Sequence, residues 1–367
     1  SAVTGAEYYT IYKSDSGALA LHGYIGSTTG LSFIDNNING DETDTPPQGK
    51  NPMDVAGNWP STVALYDSRL VWGRTRNKPN VIYASQTASY ENMDVSRPQR
   101  PDDAFTGGLV AERVNAVNQL IPMTDLLALC SDGLFKIFPG DTGGLASRRQ
   151  AGDGSSRLDP IALGEVVLYR PNVGSSIQTL GFSFDIDGYR SNDVTIFSPH
   201  LFERLQIVSW CYAKTPLSCV WAVLSNGQLA CLTWELSQQV WGWTLCETDG
   251  YFESVCSVIE DGEDRVYAIV RRTIEGVQRK FIERMASAIL GDIRYSCHLD
   301  SAVSYNLDTP ATTFGLLDHL NGKTVDVLAD GGVHKGLVVV GGQITLPVAA
   351  SIVTIGLPYQ SYIETLP

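Results

Sequence analysis

The sequence predicts an all-β protein: a β-propeller of about five or six blades beside a smaller, discontinuous β-sandwich or barrel domain. Three observations carry that expectation. The first is a series of short apolar runs broken by turn-forming pairs. Val220 to Leu224 closes on Ser225-Asn226-Gly227, and Leu229 to Trp234 runs away from it. Asn-Gly between two such runs marks a hairpin, because both residues tolerate positive φ. The second is that these runs are apolar at nearly every position, as strands buried on both faces must be. The third is recurrence. Ala128 to Gly133 lies on Ala222 to Gly227 without a gap, and similar strand-turn-strand units surround Asn77, Asn172 and Glu275. The turn centres at 77, 132, 172, 226 and 275 are 55, 40, 54 and 49 residues apart. Four-stranded blades repeat at about 40–50 residues.

Residues 8 to 38 read as three antiparallel strands, Tyr8 to Lys13, Leu19 to Ile25 and Leu31 to Ile34, too few for a domain by themselves. Ser1 to Tyr9 reads as mid-strand, so a processed fragment is expected. Asp41 to Asn58, with Pro46-Pro47 and Pro52, has the composition of a linker. The propeller is expected over 59–291, where Val240 to Leu245, Glu253 to Ile259, Val266 to Val270 and Lys280 to Met285 continue the strand pattern. Helix is scarce; Ala111 to Leu120 is the one candidate, since Val114, Val117 and Leu120 fit a short amphipathic turn. Beyond 291 the punctuation tightens to about ten residues, at Leu320-Asn321-Gly322, Asp330-Gly331-Gly332 and Gly341-Gly342. Residues 1–58 and 292–367 are therefore expected to complete one β domain between them. No residue from Gly336 to Ile363 is charged. Its Gly-Gly pair and two prolines favour strands over a membrane helix. Burial against another domain or subunit is the expected reason for that uncharged character.

The composition is that of an ordinary globular β-rich chain, 43% hydrophobic and 18% charged over 367 residues. A formal net charge of −14 argues against a protein that grips phosphates, which needs clustered Lys and Arg. The seven cysteines are odd in number, lie mostly inside apolar runs and contain no Cys-x-x-Cys. They read as small core residues in a reducing compartment, not as a disulfide framework.

No catalytic, cofactor or metal site is predicted. Asp35-Asn36-Asn37-Ile38-Asn39-Gly40-Asp41 matches the front half of a calcium loop, but Pro46 stands where the bidentate carboxylate belongs, so a polar turn is preferred. The histidines (His22, His200, His298, His319, His334) are scattered. Asp102-Asp103, Asp185 with Asp187, and Asp261 with Glu263 and Asp264 are the available paired carboxylates. All sit beside turn residues and read as solvated loops. Arg74, Arg76 and Lys78 crowd one hairpin tip, and Arg148-Arg149 and Arg271-Arg272 are pairs. A solvated loop is the plain reading; contact with a phosphate or a neighbouring subunit is the alternative. Trp221, Trp234, Trp241 and Trp243 are expected to fill blade cores.

Several phrases occur in a telling order: Trp59-Pro60-Ser61, Lys78-Pro79-Asn80-Val81-Ile82-Tyr83-Ala84-Ser85, Arg100-Pro101-Asp102-Asp103-Ala104, Ser198-Pro199-His200-Leu201-Phe202, Trp241-Gly242-Trp243, and Leu317-Asp318-His319-Leu320-Asn321-Gly322. Together they resemble the tail-tube nozzle (tail tubular protein B) and tail hub family of short-tailed bacteriophages, over roughly residues 8 to 367. That resemblance implies a structural virion protein, not an enzyme. It implies a homo-oligomeric, six-fold ring under the portal and adaptor proteins, a platform-like small domain, and DNA passing through without specific binding. The implied setting is the virion tail, assembled in the host cytoplasm, with no membrane contact and no cofactor. The alternative is a propeller that binds or degrades glycans, or a propeller scaffold for a peptide. A glycan hydrolase would need convergent carboxylates and aromatic rings in one pocket.

Overall fold

In the computed structural model, which describes residues 2–14, 22–97, 99–109, 115–140, 144–289 and 291–363, the repeats become a series of antiparallel sheets. The hairpin β1 (Tyr9–Ser14) and β2 (His22–Thr28) stands first. β3 (Thr45–Gln48) follows. The first four-stranded sheet is β4 (Thr62–Tyr66), β5 (Arg69–Gly73), β6 (Val81–Ala84) and β8 (Phe105–Gly108), while β7 (Val95–Arg97) leaves it to pair with β3. The second is β9 (Val117–Pro122), β10 (Leu126–Cys130), β11 (Gly133–Pro139) and β12 (Leu145–Ala151). β13 (Ile161–Leu163), β14 (Val166–Tyr169), β15 (Gln178–Ser183) and β16 (Gly188–Asp193) form the third. β17 (Ile207–Ala213), β18 (Cys219–Leu224), β19 (Leu229–Glu235) and β20 (Val240–Cys246) form the fourth. The fifth has three strands, β21 (Tyr251–Glu260), β22 (Glu263–Ile274) and β23 (Val277–Arg284). A last sheet, in the order β24-β27-β25-β26, is built from β24 (Asp300–Phe314), β25 (Thr324–Ala329), β26 (Gly332–Val338) and β27 (Ile344–Leu357). The fold is all-β and β-propeller-like, made of successive blade-type meanders. The chain divides into two compact units, Ser1–Gly174 with Gln178–Asn192, and Ser175–Ile177 with Asp193–Pro367.

Residues 77, 132, 172, 226 and 275 each fall in the turn between the second and third strands of their own sheet. Each of the first four turns reaches back to the segment entering its sheet. Asn77 N donates to Gly57 O (3.1 Å), Ser131 N to Ala116 O (2.9 Å), Asn172 N to Gly154 O (2.9 Å) and Ser225 N to Gln206 O (2.8 Å). The gapless match of Ala128–Gly133 to Ala222–Gly227 has a physical cause. Ser131 Oγ accepts from Ala116 N at 3.0 Å, and Ser225 Oγ accepts from Gln206 N at 3.2 Å, so one hydroxyl closes the same ring twice. Gly227 has φ +86, and a Cβ there would meet the Tyr251 ring within 2.4 Å.

Burial on both faces holds for middle strands such as β10 and β18. On β10, Leu126, Ala128 and Cys130 enter the core shared with Val71, Ile82 and Ala84, while Leu127 and Leu129 enter another with Val167, Tyr169 and Leu180. Each of these leucines contributes about 1.5–3 kcal/mol by leaving water. It fails for β20 and β23, which lie at sheet edges and are largely exposed. Trp210 and Trp234 are buried, but Trp241 and Trp59 are exposed, so the tryptophans do not uniformly fill cores. The seven cysteines are free thiols, and burial pushes Cys130 well above the ordinary thiol range.

Three local expectations are corrected. The helix expected over Ala111 to Leu120 is strand from Val117 onward, residues 111–114 lying outside the described ones. Gln119 faces Leu129 and Val117 faces Cys130, so Asn118 is an extra, bulged residue. The bulge turns Val117 and Leu120 toward the same core, and their spacing of three imitates a helix. Leu31 to Ile34 forms no strand, and Leu31 and Ile34 are exposed. The linker contains β3, paired with β7.

In the last sheet the Gly341-Gly342 turn forms as expected. The uncharged stretch needs no outside partner to explain it: Ile344, Leu346, Val353 and Ile355 fill this sheet's own core with Phe314, Val325 and Val327. No described helix is long and apolar enough to cross a membrane.

Candidate functional site

In the first unit, the opening strands of three successive sheets, β4, β9 and β13, border one cleft. Its larger part, about 710 Å³, is walled by Thr62 and Val63, by Gln119 to Pro122, and by Ala162. An adjoining depression of about 510 Å³ shares Ser61, Gln119 and Asp159 with it and adds Trp59, Arg74, Arg76, Asn118 and Arg157. Strand residues build the walls, and turn residues supply the charge.

The local sequence fixes each contributor. Thr75 is buried and closes a tight turn, its Oγ1 accepting from Lys78 N at 2.9 Å, which projects Arg74 and Arg76 on either side. Asn77 Nδ2 donates to Ala56 O (3.1 Å) and Asn58 Oδ1 (3.0 Å), tying down the segment that carries Trp59. Gly57 has φ +88 and lies so close to the Asn77 amide that a Cβ would meet it at 2.7 Å. Trp59 is 67% exposed at the cleft edge.

An amide network joins the three sheets. Asn118 accepts from Arg74 Nη1 at 3.0 Å and donates through Nδ2 to Ser155 O at 2.6 Å. Gln119 Oε1 accepts from Thr62 Oγ1 at 3.3 Å, and its Nε2 donates to Asp159 Oδ1 (2.6 Å) and Arg157 O (3.1 Å). Burial lowers the pKa of Arg74, and the like charge of Arg157 lowers it further. Among the described residues, Arg74, Arg76 and Arg157 form no ion pair with a carboxylate. The arrangement offers cationic forks, amides, a hydroxyl and an indole face around an open depression, which suits a polar ligand.

None of the paired carboxylates named from the sequence lines the cleft. Asp103 is buried and accepts from Ser96 N, Ser96 Oγ and Arg100 N at 2.8–2.9 Å. Glu263 pairs with Arg265 at 2.9 Å, and Asp264 accepts from Lys214 N and Thr215 N. Asp185 and Asp187 are exposed in a short 3₁₀ turn. In the Asp35–Asp41 turn, Asp35 pairs with Lys13 at 2.8 Å and Asp41 accepts from Thr43 N at 3.0 Å, so both carboxylates serve the turn. No described cluster of three His, Cys, Asp or Glu could hold a metal.

The basic pairs also resolve. Arg149 donates to Asp132 O and Gly152 O. Arg271 pairs with Glu253 at 3.0 Å. Arg272, expected in a solvated loop, is buried in β22 between Glu283 and Asp300. Arg74 and Arg76 were legible as a cluster. Gln119, Arg157 and Asp159 were not, because nothing in their local sequence departs from ordinary strand and loop composition.

No family model and no curated protein matches the chain. Among solved structures it is similar to a protein from Lactobacillus plantarum, at 8% identity and a TM-score of 0.38, covering 80% of this chain and 87% of that one. It is also similar to a luciferin-regenerating enzyme, at 8% identity and a TM-score of 0.32, covering 79% and 88%. A third is the GH32 β-fructofuranosidase of Bombyx mori, at 10% identity and a TM-score of 0.27, covering 81% and 90%. None of the three is a phage tail protein, so the resemblance to tail-tube and tail hub proteins is corrected and set aside. The ring, the passing DNA and the virion setting were implied by that resemblance alone and lose its support. Two of the three are named as enzymes, so the expectation of a non-enzyme is not retained. At such identities and TM-scores the likeness assigns no chemistry, and the chain stands as a β-propeller-like all-β protein.

Proposed function

We propose that the chain is a carbohydrate-binding protein whose ligand sits in the first unit's cleft. The observation that carries this reading is Trp59, largely exposed beside a depression floored by the Asn118 and Gln119 amides. An indole face covers the apolar face of a pyranose, while amides and hydroxyls meet its hydroxyl groups. Isothermal titration against a panel of oligosaccharides tests it. Trp59→Ala is expected to weaken the best binder roughly tenfold to a hundredfold, the loss of about 1.5–3 kcal/mol of ring burial. A panel that stays blank, or binding indifferent to Trp59, would sink the idea.

Hydrolysis in the same cleft is a second reading, favoured by Asp159, whose carboxylate stands where the two depressions meet. A two-carboxylate mechanism needs a partner acid about 5–9.5 Å away. Asp159 is the one carboxylate among the described lining residues. Release of reducing ends that disappears in Asp159→Asn, with binding kept, would establish it.

A further inference from the structure

The sign of the charge in the smaller depression is opposite to that of the chain. The protein carries 40 acidic and 26 basic residues, so over the whole chain carboxylates outnumber the cations they could pair with. Several cations elsewhere find them: Lys13 with Asp35 at 2.8 Å, Lys136 with Asp125 at 2.8 Å, Arg284 with Glu260 at 3.1 Å. Here the three guanidiniums of Arg74, Arg76 and Arg157 line one depression, and the acid among them, Asp159, accepts from the Gln119 amide. Arg74 is half-buried and bonds to a neutral amide, Asn118. Arg74 is partly desolvated and feels the like charge of Arg157, so an anion entering beside them would relieve that repulsion. Sites that hold such uncompensated charge are candidates for function.

We propose that Arg74, Arg76 and Arg157 form an oxyanion subsite that reads a carboxylate or sulfate group on the bound saccharide. The inference rests on the carbohydrate reading of the cleft and adds its ligand class. A guanidinium presents two parallel N–H donors that match the two oxygens of a carboxylate or sulfate, which a lysine ammonium cannot do. Trp59 borders the same depression, so a sugar ring on the indole would carry its anionic substituent toward the arginines.

The test compares four probes by titration: an oligogalacturonate, its carboxyl-reduced neutral counterpart, a heparin-derived sulfated oligosaccharide, and inorganic sulfate. At least one charged saccharide is expected to bind at least tenfold more tightly than the neutral one. The two charged probes tell carboxylate from sulfate recognition. That advantage is expected to shrink as salt rises, and to fall several-fold or more in Arg74→Gln and in Arg157→Gln. Trp59→Ala should weaken charged and neutral saccharides alike. Arg157 is exposed, so Arg157→Gln keeps the test valid should Arg74→Gln fail to fold. Equal binding of charged and neutral saccharides, untouched by the arginine variants, overturns the subsite and leaves the carbohydrate reading standing. Sulfate binding that needs the arginines, with no gain from any sugar, keeps the subsite and overturns the carbohydrate reading. No binding of any probe overturns both.

Discussion

Arg272 and Arg74 are each partly or wholly withdrawn from water on a β scaffold, yet they are handled in opposite ways. Arg272 donates from Nε and Nη2 to both oxygens of Glu283 at 2.6 and 2.7 Å, from Nη2 to Asp300 at 3.2 Å, and from Nη1 to Asp249 O at 2.9 Å. Burial works against its charge, but Glu283 and Asp300 more than offset that, and its pKa is raised. Arg74 has an amide for a partner and another guanidinium for a neighbour, and its pKa is lowered. The difference separates two uses of one side chain. A cation enclosed by carboxylates ties β22 to β23 and to the start of β24. A cation bonded to a neutral amide instead lines the depression where an anion is proposed to bind.

The contrast can be broken most forcefully at Arg272. Arg272→Met strands the Glu283 and Asp300 carboxylates, and a loss of about 3–5 kcal/mol in unfolding free energy is expected by urea denaturation. A loss under about 1 kcal/mol would mean the cluster is ornamental. A middle case is Tyr189, whose hydroxyl donates to Asp125 at 3.2 Å beside the Lys136 ion pair. Burial and the Asp125 charge raise its pKa to about 12. An unfolded tyrosine ionises near pH 10. Between pH 10 and 12 the unfolded chain therefore sheds this proton first, and stability falls as pH rises through that window. About 2 kcal/mol is expected to be lost between pH 9 and 12 beyond what Tyr189→Phe loses. Parallel curves for the two proteins would remove Tyr189 from the account. The smallest effect should come from the cleft: Arg157→Gln is expected to change unfolding free energy by less than about 0.5 kcal/mol, and to raise it if it changes at all. Destabilisation by 2 kcal/mol or more would place Arg157 with Arg272 as a structural cation.

The inner hairpins could be read from the chain because their information is local. Ser225-Asn226-Gly227 and Ser131-Asp132-Gly133 declare their turns within a few residues, and the flanking runs declare burial. The edge strands could not be told apart this way, since β20 is as rich in tryptophan as a core strand yet lies at a sheet margin. The cleft was less legible still. Trp59, Arg74, Asn118 and Asp159 come from four separate segments, and only the stacking of sheets brings them to one place. Arg271-Arg272 shows the same limit from the other side: two adjacent arginines look alike in the sequence, and strand alternation sends one to a half-exposed face and the other into the interior.

Asn118 is one residue more than the ladder needs, and two tasks fall on it. Its backbone shifts the phase of β9 so that Val117 and Leu120 meet the same apolar layer. Its side chain bridges Arg74 to Ser155. A deletion at this position would therefore invert the strand's inside and outside and release the cation in a single event. A drifting lineage could trade the arginines for other specificities one at a time, but it could not lose this insertion without giving up shape and recognition together.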